Sequence, residues 1–167
     1  MSIQDWGGFG QVVGGASGAL IGLLFVAVSL NRDRIAKHPA LHADALQTLV
    51  IFMLPLLVAI LLVTPRQPTR VLGIEFITLG FLHGLALVMA GRRKRRAGER
   101  EYSRVARLFE YTSPNTVTTV IVLAAGTILV FGHVIGVYLL VLAVVLALIG
   151  GVANAWMFLM SVPDDTD

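Results

Sequence analysis

The sequence predicts an all-α integral membrane bundle, a single domain (residues 1–167) of five transmembrane helices with the N-terminus outside and the C-terminus inside. Three observations lead there. Of 167 residues, 56% are hydrophobic and 14% charged, whereas a soluble domain is about 45–50% apolar and about 25% charged; mean hydropathy is +0.82. Uncharged apolar stretches recur at about 20 residues, the length that crosses a hydrocarbon core of about 30 Å. Basic residues collect in alternate loops. Such a composition excludes a water-soluble enzyme and a disordered chain. With no cysteine, thiol redox chemistry and thiolate metal sites are excluded as well.

The first span is placed at 10–30, ending at Asn31-Arg32-Asp33-Arg34. It is read as a retained helix because Met1–Gly10 carries Asp5 and no basic residue, unlike a signal peptide. The second span is 45–63, with a helix start as early as Pro39, a residue suited to the first helical position. Pro55 within it predicts a kink. Thr64-Pro65-Arg66-Gln67-Pro68 forms a tight turn, and the third span is 71–90. From Asn115 to Val162 the chain runs 48 residues without Lys, Arg, Asp or Glu. One helix of that length would reach about 72 Å, so it must fold back. Gly132-His133-Val134-Ile135-Gly136 is the natural reversal, giving spans 116–131 and 137–162.

Orientation follows from the loops. The first and third carry eleven basic residues and the second and fourth carry two, which assigns the first and third to the cytoplasm. Trp6, Phe9, Tyr138 and Trp156 fall near the expected interfaces. The cytoplasmic segment 91–113 opens with Arg92-Arg93-Lys94-Arg95-Arg96 and continues through Arg100. Its Tyr102, Val105, Ala106 and Phe109 follow helical spacing, so an amphipathic helix against anionic lipid of the cytoplasmic leaflet is expected. The localisation expected is a plasma (inner) membrane, crossed several times.

Small residues form three faces. Gly10, Gly14, Gly18 and Gly22 recur every fourth position of the first span. Ala147, Gly151 and Ala155 do so on the fifth, and Gly80 and Gly84 on the third. In lipid, where apolar burial gives no drive, such faces let backbones approach and associate. They serve packing within the bundle or an oligomer face, and a homo-oligomer is expected.

Polar groups inside the spans are few. Glu75 is the only acidic residue in a span, and a carboxylate there must be paired, hydrated or protonated. Arg66 and Arg70 are its nearest expected partners. Together with Thr78 and His83 it forms the candidate pore or proton/ion site. For His83 a carbonyl or Asn154 is the bland expectation, and a relay with Glu75 the functional one. His38 and His42, at i and i+4 with Asp44 nearby, lack a clear third ligand. No metal, cofactor or catalytic group is therefore assigned, and nucleic acid is not expected as a partner.

Two resemblances complete the reading. Gly15-Ala16-Ser17-Gly18 resembles the G-x-S-G string of rhomboid intramembrane proteases, which would make Ser17 a nucleophile. Helical rise, however, sets Ser17 about 10 Å and His83 about 18 Å below the outer face, depths that do not bring a base to the hydroxyl. The run Gly14–Leu30, with Asn154-Ala155-Trp156 near the end, resembles a group of small bacterial membrane proteins of uncharacterised function. Some of these are labelled modulators of a membrane-bound AAA protease. That resemblance implies a multi-span fold and a binding role, and it defines no catalytic residue. The function expected first is therefore a homo-oligomeric ion channel or small-ion conduit. The alternative is a non-catalytic accessory subunit of a larger membrane complex, with a membrane-protein partner. An intramembrane serine hydrolase is the remote third.

Overall fold

A computed structural model of the chain describes residues 3–96 and 114–160. After a 3-10 turn at Ile3–Trp6 come α1 (Gly7–Leu30), α2 (Arg32–Lys37), α3 (Pro39–Val63), α4 (Thr69–Arg96), α5 (Pro114–Val130) and α6 (Gly136–Met160). No strand occurs among the described residues. α3, α4, α5 and α6 close a ring in which each helix packs on the next and α3 meets α6, while α1 lies outside the ring against α3.

Local chemistry sets the boundaries. Asn31 ends α1, its Nδ2 donating to the Ala27 carbonyl at 2.9 Å. His38 is extended (φ −121°, ψ 98°), as a residue before proline must be, and Pro39 opens α3. Pro55 is accommodated inside α3, buried, and its missing N–H leaves the Ile51 carbonyl without its helical donor. Between α3 and α4 the corner falls on Arg66, whose φ of 57° is left-handed. The foldback at Gly132 is a Schellman cap: Gly132 has φ 85°. Its N–H donates to the Leu129 carbonyl (2.9 Å) and that of His133 to the Ile128 carbonyl (3.2 Å).

Among the described residues, four segments are long and apolar enough to cross a membrane, namely α1, α3, residues Thr69–Arg92 of α4, and α6. The chain is on that ground a multi-pass membrane protein. α5 is apolar but has 17 residues, about 26 Å of rise. The outside of the bundle is apolar too, with Leu23, Phe81, Ile149 and Trp156 all more than half exposed, which suits lipid as the surrounding medium.

Helices outrun the expected spans at several ends. α3 begins at Pro39 and α4 continues through the basic run to Arg96, because Arg and Lys are good helix formers and a hydrocarbon boundary is not a helix boundary. The segment 91–113 is thus not a separate unit at its start. Arg100 and the amphipathic stretch Glu99–Tyr111 lie outside the described residues, as does the end of the chain from Ser161. The short helix α2 is a feature that hydropathy did not reveal.

The ends of the bundle are distinct. Trp6 meets Tyr138 edge to face (5.0 Å, 89°), which puts the starts of α1 and α6 together. Leu24, Ile35, Leu41 and Phe158 share an apolar cluster at the opposite end. Among the described residues, that second end carries Arg32, Arg34, Lys37 and the Arg92–Arg96 run, eight basic residues, with Asp33 and Asp44 the acidic ones. The first end balances Arg66 and Arg70 against Asp5 and Glu75.

Candidate functional site

The turn between α3 and α4 positions Glu75. With Arg66 at the corner, Gln67 folds back over the first turns of α4 and its Nε2 donates to Glu75 Oε2. Among the described residues neither Arg66 nor Arg70, both exposed, pairs with this half-buried carboxylate. The expected arginine partner is therefore replaced by an amide. The reason is geometric: the tight turn brings residue 67 back over α4, while Arg66 and Arg70 face outward. Thr78 sits one turn further on. It is exposed, and its hydroxyl donates to the Ile74 carbonyl of its own helix (2.9 Å).

His83 is buried at the α4–α5 seam, with its Nδ1 2.9 Å from Thr119 Oγ1. The Thr119 hydroxyl gives its proton to the Asn115 carbonyl (2.9 Å). His83 Nδ1–H must therefore be the donor to Thr119, which leaves Nε2 as a buried lone pair without a partner. Neither expected arrangement is realised. Asn154 bonds Thr48 instead (Nδ2 to Oγ1, 2.6 Å), tying α6 to α3. Glu75 and His83 lie about 12 Å apart along α4 and engage different neighbours. Glu75, Thr78 and His83 thus share a helix but not a site.

The ring axis is packed rather than hollow. Val58, Leu72, Phe76, Val122, Leu129 and Leu140 all have 0% exposure. Among the described residues, a passage for ions has no room along the axis of this helix ring.

Ser17 is fully buried on α1, and its hydroxyl has no hydrogen-bond partner. His83 is engaged at the α4–α5 seam, on the far side of the ring from α1. The serine and the imidazole are not brought together. His38 Nδ1 is engaged by the Arg34 carbonyl (2.9 Å), and the described residues contain no cluster of three metal-ligating side chains.

The small-residue faces divide by use. A methyl at Gly151 would lie 2.5 Å from Phe52 of α3, and Ala147 beside it is 1% exposed while Ala155 is half-buried, so this face of α6 packs within the bundle. Methyls at Gly80 and Gly84 would meet Leu123 (2.8 Å) and Thr119 (3.2 Å) of α5. On α1 the stripe splits. A methyl at Gly10 would lie 2.7 Å from Val63 and 3.0 Å from the Ala59 carbonyl, and one at Gly14 3.4 Å from Ala59. Gly15, Gly18 and Gly22 face nothing within 4 Å. A four-residue repeat advances 400°, drifting about 40° per step around a helix. The stripe that starts against α3 consequently ends facing outward.

Sequence reasoning missed the reciprocal glycine crossing of α4 and α5. A methyl on Gly73 would lie 2.7 Å from the Gly126 carbonyl, and one on Gly126 2.8 Å from the Gly73 carbonyl. The spacing Gly73, Gly80, Gly84 is a helical stripe that could have flagged α4, but Gly126 stands without a second glycine on α5. No protein-family model, curated protein or solved structure matches this chain.

Proposed function

We propose that the protein is a five-span, non-catalytic subunit of a bacterial plasma membrane, with its basic end cytoplasmic. It works by helix association, as a homo-oligomer joined along the open face of α1. α5 serves as the fifth span, its short rise matched by local thinning of the bilayer. The observation that carries the reading is the state of Gly15, Gly18 and Gly22, three glycines of a membrane helix with open space where a side chain would be. A surface of this kind makes little dispersion contact with lipid, and it gains most from a second backbone at close range. Close approach needs small residues on both helices, and a second copy of α1 supplies the same face by symmetry.

The absence of cysteine makes the test direct. Ala19→Cys, on the exposed side of α1, should give a disulfide-linked dimer on oxidation in native membranes, and Gly18→Leu in the same background should suppress it. A protein that stays uncrosslinked, and monomeric by light scattering in mild detergent, rules the assembly out. Reporter fusions at the two termini should read opposite sides of the membrane, and matching sides would remove the five-span layout.

An ion conduit is the second reading. The packed ring axis requires its path to run between protomers. Glu75, a half-buried carboxylate bonded by an amide rather than neutralised by an arginine, is the observation that favours it. Proteoliposomes should then pass a cation flux that Glu75→Gln alters. Absence of flux under imposed gradients refutes this second reading while leaving the oligomer intact.

A further inference from the structure

We propose that the crevice between α1, α2 and α3 at the basic end seats a stretch of one acyl chain of an anionic phospholipid, with Arg32, Lys37 and His42 meeting its phosphate. The crevice has a volume of about 130 Å³ and is walled by Leu24 and Val28 of α1, Ile35 of α2, and Leu46 and Leu49 of α3. His42 is the one polar side chain among its walls, and it is exposed, so the imidazole stands at the mouth. Arg32 and Lys37 are exposed at the two ends of α2, the helix that carries Ile35 into the crevice.

Shape and charge select the occupant. One turn of a helix with its side chains, about 10 Å across and about 5.4 Å long, occupies about 400 Å³, about three times the crevice, whereas a run of methylenes fits it. The walls offer no hydrogen-bonding groups apart from His42, which suits methylenes and not a polar solute. Around the mouth of the crevice the described cations Arg32, Arg34 and Lys37 stand against Asp33 and Asp44, a net positive charge, so an anionic headgroup is favoured over a zwitterionic one. Asp33 is exposed on α2 and opposes the cations locally, but α2 itself still carries three cations, Arg32, Arg34 and Lys37, to this one carboxylate. The inference rests on reading that end as a membrane interface. It is independent of whether copies of α1 associate.

The test uses the purified full chain, stripped of lipid in mild detergent. It is offered equal amounts of phosphatidylglycerol and phosphatidylcholine with identical acyl chains, and retained lipid is counted by native mass spectrometry. The wild type should retain phosphatidylglycerol several-fold over phosphatidylcholine. The double substitution Arg32→Gln/Lys37→Gln should reduce that preference about fivefold or more, from the effect of a cation near an anionic headgroup. Leu46→Trp, which fills the crevice, should lower retention of both lipids. Leu46→Phe reads the same quantity where the larger side chain blocks folding, as judged by circular dichroism. A preference that survives Arg32→Gln/Lys37→Gln, or retention unchanged by filling the crevice, overturns the proposal. Loss of preference only when Arg92–Arg96 are neutralised also overturns it, placing the lipid on the basic run instead. Micelles impose no orientation and the count does not depend on subunit number. Failure here is thus separable from failure of the oligomer.

Discussion

Substituting Gly126 by alanine tests the backbone-to-backbone crossing of α4 and α5. The added methyl would lie 2.8 Å from the Gly73 carbonyl oxygen and 2.9 Å from both the amide nitrogen and Cγ1 of Ile77. Two of those three atoms are backbone, so no rotamer change relieves them. Ordinary C···O contacts sit at about 3.3–3.6 Å, which requires α4 and α5 to part by about 0.5–0.8 Å at the crossing. A gap of that size forfeits a quarter to a half of the dispersion energy of each contact it opens. Overpacking of this kind costs about 1–3 kcal/mol, and alanine's helix propensity returns about 1 kcal/mol. The expected net loss is therefore about 0–2 kcal/mol, which is about 1–3 kcal/mol worse than a glycine-to-alanine change in open space. Gly22→Ala is the matched control, since nothing lies within 4 Å of its methyl, and it should be neutral or slightly stabilising. Reversible unfolding in mixed micelles, followed by far-ultraviolet circular dichroism, measures both. The double variant Gly73→Ala/Gly126→Ala should lose less than the sum of the singles, because the first methyl has already opened the gap that the second enters. Equal stability of Gly126→Ala and Gly22→Ala would refute the crossing.

The polar contacts make sharper, smaller predictions. Thr119→Val leaves the buried His83 Nδ1–H without an acceptor and should cost about 1–3 kcal/mol. His83→Leu should cost less, because the Thr119 hydroxyl keeps its bond to the Asn115 carbonyl; the reverse order in a denaturation series would show that the proton lies on the other nitrogen. A double-mutant cycle on Asn154→Leu and Thr48→Val should return a coupling of about 0.6–1.7 kcal/mol, the range of hydrogen bonds between membrane helices, and zero coupling would mean that the α3–α6 clamp does not form. Glu75→Leu should destabilise more than Glu75→Gln, since the glutamine still offers Gln67 an acceptor; identical unfolding curves would remove that bond from the account.

What the sequence made legible here was governed by chemistry local to the chain. The foldback at Gly132 could be read because an uncharged run too long for one crossing must reverse, and a glycine at left-handed φ is what a helix end uses. Pro39 marked the start of α3 for a similar reason. The candidate site was less legible. Glu75 and His83 stand out in the sequence as ionisable groups in a span, but their partners Gln67 and Thr119 depend on how a turn folds back and on which face of α5 meets α4. Hydropathy sees neither.

By itself, then, the sequence determined that the chain lives in lipid, where its helical rods begin and reverse, and which loops carry the cations. These follow from the free energy of moving side chains and peptide groups out of water, a property of each residue and its near neighbours. Only the tertiary structure decided which small-residue faces are used. Those on α4 and α6 close against α5 and Phe52, while the stripe on α1 rotates from contact with α3 into the open. Helix drift and packing angle fix that outcome, and they act between segments far apart in the chain.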